Sequence, residues 1–169
     1  VSSFYPRKNH KTMIEAFALL KDKTAIDLVF VGDQGGEQVG IISLIKKLSL
    51  ENRIHILPNV TDEDMPALYQ QASLFLYPSL FEGFGIPILE ALNSKVPVIT
   101  TKGGCFEEVG GKETCYINPK NVNEISEAIL RILNNESTQN NMIQQGLIHA
   151  ANMNEENFIM KTMKLYESL

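Results

Sequence analysis

The sequence predicts an α/β fold: a parallel β-sheet with helices on both faces, closed by a run of C-terminal helices. Three observations carry this. Short runs rich in β-branched and aromatic residues, at 26–31, 54–57, 74–77 and 96–100, alternate with stretches of helical periodicity. The first of these runs is apolar from Leu28 to Val31 without alternation, as suits a strand buried on both faces. After Pro119 the strand signals stop and only helical patterning remains.

Residues 1–4 read as a short strand, and 5–9 as a loop carrying Pro6, Arg7 and Lys8. A helix follows with Met13, Ile14, Phe17 and Leu20 on its apolar face. Strand 26–31 runs into a glycine turn at 32–36, then into a helix expected to face Ile41, Ile42, Leu44, Ile45 and Leu48 inward. After strand 54–57, Thr61 reads as an N-cap with Asp64 three residues on, before a helix through Leu68 and Tyr69. Strand 74–77 leads into a glycine loop and a helix, and strand 96–100 follows. Residues 115–117 read as an edge strand, and helices are expected at 122–133, 138–150 and 155–168. The architecture is therefore Rossmann-like, a single domain over 1–169. In a parallel sheet of this kind ligands bind at the carboxyl ends of the strands. The loops at 5–8, 32–36, 58–60, 79–85 and 101–106 would share that edge and bring the glycines and charges together.

Composition narrows the function classes. Apolar content of 44% and charged content of 21% are ordinary for a globular domain. A net charge of −5 argues against a general nucleic-acid or anionic-membrane surface. Cys105 and Cys115 are too few for a disulfide framework or a zinc site and read as free thiols. No apolar run reaches the ~18 residues of a membrane span. The chain opens at Val1 in what reads as the middle of a strand, and is expected to be part of a longer protein.

The stretch 78–92, PSLFEGFGIPILEAL, organises the rest. It breaks a strand at Pro78, turns through Gly83 and Gly85, and re-enters order at Ile86-Pro87, where proline suits a helix's first turn. Amides at a helix start have no intrahelical partner and can hold a phosphate. Gly83 and Gly85 let backbone approach a ligand closely. Glu82 in the loop and Glu90 in the helix offer acceptors for sugar hydroxyls. Such a loop suits a ligand with phosphates between sugars.

The stretch EGFGIPILEA resembles the family 4 retaining glycosyltransferases of the GT-B fold, marked by two glutamates separated by seven residues, here Glu82 and Glu90. PRKNHKTMIEAF at 6–17, LVFVGD at 28–33, LYQQASLFLYPS at 68–79, PVITT at 97–101 and EEVGG at 107–111 match the family in order, with Glu107 where proline is usual. The resemblance implies the donor-binding, C-terminal half of an enzyme moving a hexose from a nucleotide diphosphate sugar to a saccharide or lipid-linked acceptor. It implies a missing N-terminal acceptor domain as partner, no cofactor, no metal, and a role in polysaccharide biosynthesis. The implied location is the cytoplasm, with the missing domain touching the inner face of the membrane. The implied catalytic residues are Glu82 and Lys8. The implied nucleotide-sugar site comprises Arg7, Lys8, Gly32, Glu82, Gly83, Phe84, Gly85, Ile86 and Glu90. Lys8 is implied to hold the diphosphate, Glu90 the ribose, and Glu82 the transferred sugar. Where many members carry an arginine six residues before that lysine, this chain has Ser2, and Arg7 is the candidate replacement. The 58–60 loop is implied to lie beside the base, and Gly103-Gly104 reads as a turn. The last helix is implied to pack on the absent domain through Phe158, Met160, Met163 or Leu165.

Two other classes compete. A non-catalytic Rossmann-like module would bind the nucleotide and not the sugar. A nicotinamide-dependent oxidoreductase needs a GxGxxG after its first strand, where PRKNHK stands. Asp62-Glu63-Asp64 fits a metal-binding DxD pattern, but acidic residues are also favoured at a helix start, where these three lie. His10, His55 and His149 share no metal-ligand spacing.

Overall fold

The structure, a computed structural model, describes residues 1–32 and 35–168; of Glu155, Glu156, Phe158 and Lys161 it describes the backbone alone. The element order is a 3-10 turn at Pro6–Lys8, α1 (His10–Ala18), β1 (Leu28–Val31), α2 (Gln38–Lys47), β2 (Ile54–Leu57), α3 (Met65–Gln71), β3 (Phe75–Tyr77), α4 (Ile86–Asn93), β4 (Val98–Thr101), α5 (Cys105–Gly110), β5 (Cys115–Ile117), α6 (Val122–Leu133), α7 (Glu136–Asn152) and α8 (Glu155–Glu167). Every strand pair is parallel. Leu28 lies opposite Ile54, Phe75 opposite Val98 and Ile99 opposite Cys115, so β5 is an edge.

Helices cover both faces because successive strand side chains point to opposite sides. Phe75 and Tyr77 of β3 and Val98 of β4 pack with Tyr69 of α3, Ile88 and Leu92 of α4 and Phe106 of α5. Their neighbours Leu76 and Ile99 face the other way, onto Leu20, which follows α1, and onto Ile125, Ile129 and Ile132 of α6. A third cluster joins Phe4 and Phe17 to Phe30 of β1, Ile41 and Ile45 of α2 and Ile54 of β2. Fully burying a side chain such as Ile88 stabilises the fold by about 1.5–3 kcal/mol.

Several expectations are corrected. Among the described residues the strands form a two-stranded ladder, β1-β2, and a three-stranded ladder, β3-β4-β5, rather than one hydrogen-bonded sheet. Between β1 and β3 lies a cavity of about 410 Å³ whose lining includes Leu28, Phe30, Phe75 and Leu76, with Val1 and Ser2 at its wall. Residues 1–4 are not a strand: Ser2 N–H donates to the Val31 carbonyl at 2.9 Å, and Phe4 then turns into the core. Cys105 and Phe106, expected in the loop at 101–106, instead open α5, whose six residues are too few to show a helical stripe. Ile42 is exposed, since it lies off the stripe that buries Ile41 and Ile45. Thr61 heads a separate turn, accepting from the Asp64 N–H at 3.3 Å, and α3 starts only at Met65, with Pro66 in its first turn. On α8, Met160, Met163 and Leu165 are exposed, while the Phe158 side chain lies outside the described residues. Among the described residues no helix is long and apolar enough to cross a membrane.

Candidate functional site

The site is assembled at the carboxyl ends of β1, β3 and β4. Pro6 fixes the 3-10 turn that carries Arg7 and Lys8. Asn9 closes that turn in the left-handed region, at φ 61°, a conformation asparagine tolerates better than most residues. Its buried amide donates to the Pro78 carbonyl at 3.0 Å and to the Pro119 carbonyl at 2.7 Å. The Leu80 N–H donates to the Arg7 carbonyl at 2.8 Å. Thr101 ties the same loop down by donating to the Ser79 carbonyl at 2.6 Å. Together these bonds bring residues 7 and 8 against residue 82, some 75 positions away in sequence.

Three of the expected residues meet directly. Arg7 Nη1 donates to Glu82 Oε2 at 2.7 Å, and Lys8 Nζ lies 2.7 Å from Glu82 Oε1. The Glu82 and Lys8 side chains are 10% and 11% exposed, against 48% for Arg7. Burial would raise the Glu82 carboxyl, but the hydrogen bond from Lys8 and the charges of Lys8 and Arg7 outweigh it and hold it below its ordinary value. Lys8 Nζ also donates to the Tyr77 hydroxyl at 2.8 Å. Burial, and next the Glu82 charge, push that phenol well above its usual range, so it stays a neutral hydrogen-bonding group.

Gly85 starts α4 at φ 107°, a conformation that favours glycine, and among the described residues no side chain caps that helix end. Ile86 and Phe84 stand exposed around it, and a Cβ on Gly83 would meet nothing within 4 Å. Glu90 lies on the exposed side of α4, opposite the buried Ile88 and Leu92. Its Oε2 accepts from the Tyr69 hydroxyl at 2.8 Å.

Other expected residues have packing explanations. A Cβ on Gly32 would lie 2.3 Å from the Ser2 carbonyl oxygen, and one on Gly35 2.2 Å from that of Phe4, so these glycines admit residues 2–4; Asp33 and Gln34 lie outside the described residues. Ser2, at the position of the family's usual arginine, bonds to His10 Nε2 at 3.2 Å. Asp64 accepts from the Thr61 hydroxyl at 2.8 Å. Glu108 meets His149 Nε2 through its backbone carbonyl at 2.9 Å. Cys105 and Cys115 are free thiols, and Cys105 Sγ donates to the Glu82 carbonyl at 3.4 Å.

Sequence reasoning left out Asn9, Tyr69 and Tyr77 as parts of the site. The available signal was that a buried tyrosine needs a partner for its hydroxyl.

Fold and site together define an α/β domain that presents cations, carboxylates and an uncapped helix start at the carboxyl ends of a parallel sheet. The chain belongs to the glycosyl transferases group 1 family, whose profile matches residues 1–148. It is 34% identical over 171 residues to the O-antigen chain mannosyltransferase B of Escherichia coli, covering 100% of this chain and 45% of that protein. Its fold matches sucrose-phosphate synthase from Thermosynechococcus elongatus with a TM-score of 0.87 at 25% identity, over 99% of this chain and 44% of the other. It matches Anabaena HepE, solved with UDP-glucose, with a TM-score of 0.85 at 23% identity, over 99% and 47%. The chain thus spans less than half the length of these relatives, and has the fold of one half of a GT-B glycosyltransferase.

Proposed function

We propose that this chain is the donor-binding half of a retaining glycosyltransferase that moves a hexose from a nucleotide diphosphate sugar to a saccharide or lipid-linked acceptor. The observation that carries the reading is the convergence of Lys8, Arg7 and Glu82 beside the uncapped start of α4. In this reading Lys8 and Arg7 turn to the diphosphate and neutralise charge on the leaving group, electrostatic help that can amount to several kcal/mol. Glu82, released from them, accepts from hydroxyls of the transferred sugar and stabilises positive charge near its anomeric carbon. Glu90 accepts from the ribose. The rest of the protein supplies the acceptor half, in the cytoplasm, for cell-surface polysaccharide synthesis. The Escherichia coli relative is named a mannosyltransferase, and HepE was solved with UDP-glucose, which supports a nucleotide sugar as the ligand class and a mannosyl donor as the first to try.

Titration calorimetry of variants tests the division of roles. Glu82 pairs with both cations, so Glu82→Ala should bind a free nucleoside diphosphate at least as tightly as wild type, and the nucleotide sugar more weakly. Lys8→Ala should weaken both, with little effect on a nucleoside. Because Lys8 and Arg7 supply the positive charge, a chelator should leave these affinities unchanged. Equal losses for both ligands in both variants would sink the assignment.

A further inference from the structure

Glu90 is exposed, yet its carboxylate is held from below by a side chain that is 4% exposed. The Tyr69 hydroxyl, from α3, donates to Glu90 Oε2 at 2.8 Å. The Tyr69 ring is fixed in turn: it meets Phe75 edge-on at 5.3 Å between centroids, and Phe75 stacks on Tyr77 at 5.7 Å. Tyr77 bonds to Lys8, which bonds to Glu82. One row of three buried rings therefore touches Glu90 at one end and, through Lys8, Glu82 at the other.

We infer that Tyr69 is a positioning residue for ribose recognition, an inference that rests on Glu90 meeting the ribose. An exposed glutamate samples several rotamers, and ordering it on binding carries an entropic cost. A buried tyrosine bonded to one carboxylate oxygen removes much of that freedom beforehand. It leaves Oε1 available to a ribose hydroxyl, and the second lone pair of Oε2 as well. Burial, followed by the bond to Glu90, pushes the phenol far above its usual range, so it remains a donor throughout the working pH range. The bland alternative is that Glu90 merely satisfies a buried hydroxyl. The two differ in what happens to ligands that lack ribose hydroxyls.

The test is Tyr69→Phe in this chain, titrated with GDP and UDP and with their 2′,3′-dideoxy forms. Phenylalanine keeps the ring and its packing on Phe75, and water can solvate the exposed carboxylate, so the variant folds; a melting curve checks this. For whichever ribonucleotide wild type binds, affinity should fall about tenfold in Tyr69→Phe, and affinity for the dideoxy form should not change. Glu90→Ala should lose at least as much, and Tyr69→Phe/Glu90→Ala no more than Glu90→Ala alone. Wild-type affinity in Tyr69→Phe, or an equal loss for the dideoxy nucleotide, overturns the positioning role. If Glu90→Ala itself loses nothing, the ribose assignment fails and the inference falls with it.

Discussion

His10 opens α1 from a buried position between the rings of Phe4 and Phe30, at 4.7 and 5.1 Å, and among the described residues its ring bonds to Ser2 alone. Burial is the main reason its pKa falls from 6.5 to about 4. The unfolded chain binds this proton readily and the folded chain resists it. Stability from this group is therefore complete above pH 6.5, declines as pH falls, and levels off below about 4. The loss amounts to roughly 3 kcal/mol across that window. Urea unfolding at pH 7 and pH 5 should show much of it in wild type, and His10→Phe should reduce the dependence, leaving the share of the buried Val1 amine, which burial lowers to about 5. The window lies above the acid range in which Glu82, whose pKa is depressed, would add its own loss. An unchanged pH dependence in His10→Phe would show that the group does not titrate as its burial dictates. At this scale the sequence revealed the chemistry unevenly. Glu82 and Glu90 stood out because their spacing and glycine-rich surroundings are local. Asn9 and Tyr69 act on partners 69 and 21 residues away, and no local pattern encodes that.

Among the elements, α6 is legible to its ends because a strong apolar stripe coincides with the Asn121 cap, which accepts from the Glu124 N–H. Helix α5 is not legible because its two flanking turns, at Gly104 and Gly111, dominate its short sequence. The strand expected at residues 1–4 failed for another reason: a strand exists only where a neighbour pairs with it, and here the chain makes one bond to β1 and turns away. The described ladder bonds join β1 to β2 and β3 to β4, which leaves the other edge of each facing the cavity. Backbone groups alternate along a strand. The Leu28 and Gly32 amides donate to Arg53 and Leu57, so Phe30 points the same way and Val29 and Val31 point oppositely. On β3 the Phe75 amide donates to Pro97, and Leu76 faces the cavity side. Hydrogen exchange should find Leu28, Phe30 and Gly32 protected, and Val29, Val31 and Leu76 exchanging well before them. Uniform protection along β1 would mean that its second edge is paired.

For the whole molecule, the expected behaviour of this chain is binding without transfer. The residues assigned to the donor, Lys8, Glu82 and Glu90, are held by bonds within the chain, from Asn9, Tyr77, Tyr69 and the strand ends. They need no second half to take their places. The surface around them is open: Phe81, Phe84 and Ile86 beside the site and Met160, Met163 and Leu165 on α8 stand exposed. Transfer requires donor and acceptor together in near-attack geometry, which can supply roughly 7–11 kcal/mol of the barrier. A chain spanning 45% of its Escherichia coli relative holds, in this reading, one reactant and half the cleft. With one wall absent the donor keeps much of its hydration, and affinity should be weak, on the order of 0.1–1 mM, or about 4–5.5 kcal/mol. Calorimetry with the cognate nucleotide sugar should give such a value, and a transfer assay with the same preparation should give no product. The longer protein should bind more tightly and turn over. Transfer by this chain at the rate of the longer protein would overturn the two-half reading and place a complete active site within these residues.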